Sequence, residues 1–221
     1  MTRSQPGQPR HSPYHVAVAL FPGFELLDVT GPLEVLNMLS RETPIKLSLL
    51  STTLDPVSTK TADMPYSMCE QSMVPTHTYE VPPSDIDALL VPGGTGARLS
   101  PDPHFKDLHA FLRQAFPSLD YLLTVCTGSA LVAQTGLLDD RCATSNKNAW
   151  EWVQTQGERV EWVKDARWVE DDNVWTSAGV SAGIDMTLAW VAKLWGLDRA
   201  HAVAKRMEYV WKNDSSADTF A

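Results

Sequence analysis

Three short apolar runs in this chain each end in a turn and are followed by a segment with helical character. The runs cover residues 15–21, 87–91 and 121–125, and the turns after them open at Pro22, Pro92 and Cys126. A continuous apolar run of this length is typical of a strand buried on both faces. Strands of that kind alternating with helices predict an α/β fold, with a doubly wound, mostly parallel sheet and helices on both faces.

The remaining segments continue this alternation. A capping Asp28 or Thr30 and an early Pro32 predict a helix through Leu39, and residues 45–50 form the second predicted strand. Further helices are predicted over residues 102–116, 145–156, 179–195 and 198–211, the last capped by Asp198, with short strands over 160–163, 168–170 and 174–176. We therefore expect a single domain over residues 14–212, preceded by a disordered tail (1–13) and followed by a C-terminal tail (213–221).

The charge balance and the cysteine pattern exclude several classes of function. A net charge of −9 without a basic cluster argues against nucleic acid as a partner. No apolar run approaches the ~20 residues of a membrane span, and the polar, proline-rich N-terminus does not have the pattern of a signal sequence. The three cysteines lack the spacing of a metal site or a disulfide framework. We expect a cytoplasmic protein that binds a small molecule and uses no metal or cofactor.

Cys126 stands at the corner between a predicted strand and a predicted helix. The N-terminus of a helix presents unpaired N–H groups and a positive dipole end, and both lower the pKa of a thiol. A buried cysteine that serves only as a small apolar side chain fits the corner equally well. The turn containing Gly93 and Gly94 leaves the neighbouring strand, and we expect the N–H groups of Gly94 and Thr127 to stabilise charge formed during attack.

The proton partner of Cys126 is predicted to be a carboxylate. No histidine follows Cys126, where Thr127 stands instead, so the sequence does not favour a Cys–His triad. Asp28, in the loop after the first strand, is the best-placed acid, although a helix cap explains it about as well. A carboxylate beside a thiolate would share one proton with it, and such a pair suits the addition of water.

Four ordered motifs resemble the PfpI/ThiJ superfamily, whose fold is that of the class I glutamine amidotransferases. They lie at residues 21–32, 91–96, 125–129 and 183–185, and within the superfamily they are most similar to the isocyanide hydratases. The resemblance implies a flavodoxin-like sandwich, usually a homodimer, with Cys126 as nucleophile, Asp28 as general acid and base, and Thr127 beside them. The glutamate and histidine of the superfamily's proteases, deglycases and glyoxalases are missing here.

The resemblance implies hydration of an isocyanide to an N-substituted formamide through a thioimidate on Cys126. Gly93, Gly94, Thr95 and Asn146 are the expected oxyanion and substrate-binding residues. The hydratases read Ala-Thr-Thr-His-Trp where this chain has residues 143–147, Ala-Thr-Ser-Asn-Lys, so the crevice differs there. Two alternatives stay open: a cysteine-based redox or ligand sensor without turnover, and another small-molecule hydratase or a glyoxalase-type enzyme.

Overall fold

The computed structural model describes residues 12–61, 69–99 and 103–221, and the predicted N-terminal tail lies almost entirely outside them. The strands are β1 (Tyr14–Ala19), β2 (Ile45–Ser51), β3 (Val57–Ser58), β4 (Ser72–Met73), β5 (His77–Thr78), β6 (Ala88–Val91), β7 (Tyr121–Val125), β8 (Cys142–Ala143), β9 (Glu161–Trp162), β10 (Trp168–Asp171) and β11 (Val174–Ser177). The helices are α1 (Leu26–Ser40), α2 (Pro103–Ala115), α3 (Gly128–Ala133), α4 (Trp150–Gln154), α5 (Ala182–Trp195) and α6 (Leu197–Arg206).

In the described part of the chain, seven strands form one sheet in the order β10-β11-β7-β6-β1-β2-β5. Every neighbouring pair is parallel except β10 and β11, which form an antiparallel edge. The strands at the centre of the sheet, β1, β6 and β7, are buried at every position. This confirms the predicted mostly parallel sheet, and the unbroken apolar runs follow from its coverage on both sides.

The helices cover both faces of the sheet. The connection β1–α1–β2 moves along the sheet in one direction, whereas β6–α2–β7 moves in the other. Because crossovers between parallel strands are right-handed, α1 and α2 lie on opposite faces. Helices α5 and α6 pack against α1, and α3 packs against α2. The carboxyl ends of β1, β6, β7 and β11 therefore meet at one edge of a sheet enclosed by two helical layers.

The predicted last helix is too long. Helix α6 begins after Gly196, which has a φ of 97°, and it ends at Arg206 rather than Trp211. Asp198 lies in its first turn and does not cap it. Glu208 takes a left-handed conformation (φ 49°), and the chain beyond it turns back onto α5, where the indole N–H of Trp211 donates to the Asp185 carbonyl (3.1 Å). Tertiary contacts thus outweigh the helical pattern of this segment.

Candidate active site

Cys126 follows β7 in a backbone conformation that is strained for any residue with a side chain. Its φ is 57°, in the left-handed region. The Cys126 N–H donates to the carbonyls of Ser177 (3.2 Å) and Ala178 (3.1 Å), and its own carbonyl accepts the Ser145 hydroxyl (2.8 Å). These bonds hold the strained corner from both sides, and strain maintained in this way is characteristic of functional sites.

Glycines on either side allow the backbone to pack closely around the corner. A Cβ atom at Gly93 would lie 2.5 Å from both the nitrogen and the hydroxyl oxygen of Thr127. A Cβ atom at Gly128 would lie 2.2 Å from the Val91 carbonyl oxygen. Both distances are too short for real atoms, so the turn after β6 and the turn after β7 can meet only through glycine.

The Asp28 carboxyl is fully buried, and its Oδ2 accepts the Gly93 N–H at 2.9 Å. Among the described residues, Oδ1 has no well-formed hydrogen bond. Asp28 lies inside the first turn of α1, which Glu25 precedes, and its side chain reaches across to the turn after β6. The alternative interpretation of Asp28 as a helix cap is therefore wrong.

The pKa of Asp28 is raised to about 7: burial is the largest cause and the charge of Glu25 adds to it, while the Gly93 N–H and the Cys126 thiol act in the opposite direction. The pKa of Cys126 is also raised, to about 12, first by burial and then by the Asp28 charge. The expected lowering of the thiol pKa by the helix N-terminus is therefore wrong, because the short α3 cannot offset desolvation and a neighbouring carboxylate.

The two groups consequently share one proton over a wide pH range. Below the pKa of about 7 the pair Asp28–Cys126 holds two protons, and it holds one between that value and the thiol pKa of about 12. The single proton can reside on sulfur or on the carboxyl, and the carboxyl can deliver it to a reacting atom. This arrangement is suited to adding a proton and a nucleophile to one substrate.

Three donors contact the Cys126 sulfur and partly offset its high pKa: the Thr127 N–H, the Asn146 side chain and the Val180 N–H. Asn146 also caps a 3₁₀ turn, its Oδ1 accepting the Ala149 N–H at 3.2 Å. Space for its amide comes from Gly179, where a Cβ atom would lie 2.7 Å from Nδ2. The sulfur therefore receives donors from its own turn and from two other segments of the chain.

Val180 was not predicted as a site residue; it is β-branched, and its φ of 38° makes it a second strained position at the site. Its position along the chain could have indicated it, because residues 178–181 follow the last parallel strand of the sheet, β11. A segment in that place reaches the same edge as the turns after β6 and β7.

The Gly94 N–H donates to the Thr127 hydroxyl oxygen at 3.0 Å, so in this structure it does not point to a substrate as expected. Thr127 thereby joins the glycine turn to the cysteine corner. Thr95 is exposed and opens the 3₁₀ helix Thr95–Arg98. The structure thus brings Cys126, Asp28, the two glycines, Thr127 and Asn146 together, with Thr95 exposed beside them.

His15, at the amino end of β1, lies at the opposite edge of the sheet and binds Ser48 (2.9 Å) and Asp85 (3.0 Å). Within the described residues, no histidine is among the groups that shift the pKa of Cys126.

The same part of the chain contains no cluster of side chains suited to a metal ion. None of its helices is long and apolar enough to cross a membrane.

Comparison with known proteins agrees with this geometry. The family model described as DJ-1/PfpI matches residues 14–193. The chain belongs to the DJ-1/PfpI family. It is similar to an isonitrile hydratase from Pseudomonas putida, with 34% identity over 195 residues that make up 88% of this chain and 78% of the hydratase.

Solved structures of DJ-1/PfpI proteins share the fold. A ThiJ/PfpI family protein from Pseudomonas syringae superimposes with a TM-score of 0.75 at 29% identity, covering 91% of this chain and 77% of that protein. Drosophila melanogaster DJ-1beta gives a TM-score of 0.72 at 19% identity, covering 90% and 99% respectively, and this likeness concerns the fold alone. The family assignment and the fold class predicted from sequence are therefore confirmed.

Proposed function

We propose that this protein adds water to an isocyanide and releases an N-substituted formamide. The observation that carries the proposal is the buried Asp28–Cys126 pair, which shares one proton and has no histidine partner among the described residues. The similarity to an isonitrile hydratase supports the same reaction class. Isocyanide hydration needs a nucleophile and a proton at one carbon, and the pair supplies both.

In the first step, Cys126 Sγ attacks the terminal carbon of the isocyanide. The proton shared with Asp28 moves to that same carbon, which gives a thioimidate, R–N=CH–S–Cys126. The thiol adds across one carbon, and no other reactant is consumed. Asp28 is left as a carboxylate, and burial is the main reason that its pKa of about 7 allows it to give and take protons near neutral pH.

In the second step, Asp28 accepts a proton from water as the water oxygen bonds to the thioimidate carbon. The nitrogen receives that proton, the carbon–sulfur bond breaks, and the formamide leaves as the remaining hydroxyl proton returns to the Asp28–Cys126 pair. One isocyanide and one water give one formamide. The donors from Thr127, Asn146 and Val180 would stabilise the sulfur while it leaves with negative charge.

Within this proposal, Gly93 fixes the position of the acid, because its N–H holds Asp28 Oδ2. Thr127 and Gly94 tie the two turns together. A redox sensor is less well supported, since oxidation proceeds through the thiolate and burial raises the pKa of the Cys126 thiol. We also propose a cytoplasmic homodimer, the state that the superfamily resemblance and the sequence predict.

The test is turnover of an aryl isocyanide, with the formamide quantified by liquid chromatography and mass spectrometry. We expect wild type and Cys142→Ala to turn over, since the Cys142 thiol donates to Glu161 Oε2 (3.4 Å) and is not among the groups that shift the pKa of Cys126. Cys126→Ala and Asp28→Asn should each abolish product formation. Formamide produced at the wild-type rate by Cys126→Ala would refute the thioimidate mechanism.

A further inference from the structure

Four charged side chains are buried together close to the Cys126 site. Lys147, Arg167, Asp185 and Asp218 have side chains that are 6%, 3%, 0% and 2% exposed. Arg167 Nε donates to Asp185 Oδ2 at 2.7 Å. Asp218 contacts both cations, with 3.5 Å from its Oδ2 to Lys147 Nζ and 3.7 Å from its Oδ1 to Arg167 Nη1. The group contains two cations and two anions, so its charges balance inside the protein.

Asp218 comes from the C-terminal strap, the name we give to residues 209–221. The strap is attached through its backbone: the Arg167 N–H donates to the Ser215 carbonyl (2.8 Å) and the Asp218 N–H donates to the Asp165 carbonyl (2.9 Å). At its start, the Tyr209 hydroxyl and the Lys212 N–H both donate to Asp185 Oδ1 at 3.0 Å. The segment predicted to be a C-terminal tail therefore contacts the body of the protein through specific bonds.

Lys147 connects Asp218 to the loop that carries Asn146. Its ammonium donates to Thr144 Oγ1 (2.8 Å), to the Ser145 carbonyl (3.1 Å) and to the Ala166 carbonyl (2.9 Å). These bonds hold the chain immediately before Asn146. The Ser145 hydroxyl in turn donates to the Cys126 carbonyl at 2.8 Å, so the same loop is anchored to the cysteine corner.

Arg167 connects Asp218 to the loop that carries Val180. Its carbonyl accepts the Ala178 N–H at 2.8 Å, and its Nη2 lies 3.5 Å from the Ser181 hydroxyl. Val180 lies between these two attachment points. The Ala178 carbonyl also accepts the Cys126 N–H at 3.1 Å, which links Arg167 to the backbone of the corner.

We propose that Asp218 is a positioning residue for the Cys126 thiol: by holding Lys147 and Arg167, it fixes Asn146 and Val180, the two donors that reach the sulfur from outside its own turn. The proposal rests on the proposed function only in taking Cys126 as the reacting group, and it holds for any electrophile. Without the Asp218 carboxylate, two buried cations would face one anion, Asp185, and both loops would have to move or admit water.

The test measures the alkylation rate of Cys126 by iodoacetamide at pH 8, read from the Cys126 peptide by mass spectrometry and normalised to the folded fraction. We expect Asp218→Asn to slow alkylation about tenfold, the effect of losing one hydrogen bond to the developing thiolate. The matched control is Asp214→Asn, an exposed acid of the same strap that binds only Ser216 among the described residues, and it should react like wild type.

The double variant Lys147→Gln/Asp218→Asn covers the case in which Asp218→Asn does not fold. It leaves Arg167 and Asp185 as a balanced pair, and we expect the same slow alkylation because the ion pair next to Asn146 is gone. In the isocyanide assay, kcat should fall while KM changes little. A merely structural role would lower the folded fraction but leave the normalised rate unchanged. Wild-type alkylation of the folded double variant would overturn the proposal, whatever the isocyanide assay shows.

Discussion

Asp28→Asn is expected to stabilise the protein at neutral pH while it abolishes turnover. In the folded protein the wild-type carboxyl has a pKa of about 7, chiefly because it is buried. When it is exposed in the unfolded chain, its pKa has the ordinary value of 3.8. Between those two values the unfolded chain has lost a proton that the folded protein still holds. The free energy of unfolding therefore falls as pH rises through this window, and it levels off above pH 7.

The two pKa values set the size of this effect. At about 1.4 kcal/mol per pH unit, the interval from 3.8 to about 7 amounts to about 4 kcal/mol. About 2 to 3 kcal/mol of that falls between pH 5 and pH 7. An asparagine carries no charge at any pH and can still accept the Gly93 N–H, so it avoids this penalty.

The assay is urea unfolding of wild type and Asp28→Asn at pH 5, 6, 7 and 8, comparing the free energies of unfolding at each pH. The stability gain of Asp28→Asn should grow by about 1.4 kcal/mol per unit up to pH 7 and then stay constant. Subtracting the wild-type free energy of unfolding from that of the variant at each pH removes the contribution of other titrating groups. His15 is one such group, because its burial lowers its pKa. Asp214→Asn should show a constant difference over this range. A constant difference for Asp28→Asn as well would refute a raised pKa at Asp28.

Three further predictions concern the site. The dependence of kcat/KM on pH should rise tenfold per unit below pH 7 and stay level to pH 9, since Asp28, with a pKa of about 7, must lose a proton before the pair is reactive; a profile level from pH 5 would contradict this. Thr127→Val removes the acceptor of the Gly94 N–H and should cost about 1 kcal/mol in urea unfolding and about tenfold in turnover. Gly93→Ala would place a Cβ atom 2.5 Å from the Thr127 nitrogen, and we expect initial rates to fall by about a hundredfold or more because the turn must shift.

The central strands were predictable because their signal is local. Helices cover both faces, so β1, β6 and β7 are unbroken apolar runs, and the turns after them contain the glycines that close packing requires. The C-terminal part was harder to predict. Residues 207–211 have helical character, yet their indole and phenol groups bind Asp185 in α5, and no local pattern reveals a partner that distant in sequence.

The sequence by itself determined the mostly parallel sheet and the place of Cys126 at a strand-to-helix corner, because these depend on apolar runs and on short motifs. It also indicated Asp28 as the acid that we propose for Cys126. Only the tertiary structure decided the protonation of the pair. Burial raises both pKa values, and the Asp28 charge further raises that of Cys126, against the lowering expected from a helix N-terminus. It also decided which distant segments reach the sulfur, since Asn146 and Val180 meet there only after the chain has folded. The C-terminal strap likewise comes to Lys147, next to Asn146, only in the folded protein.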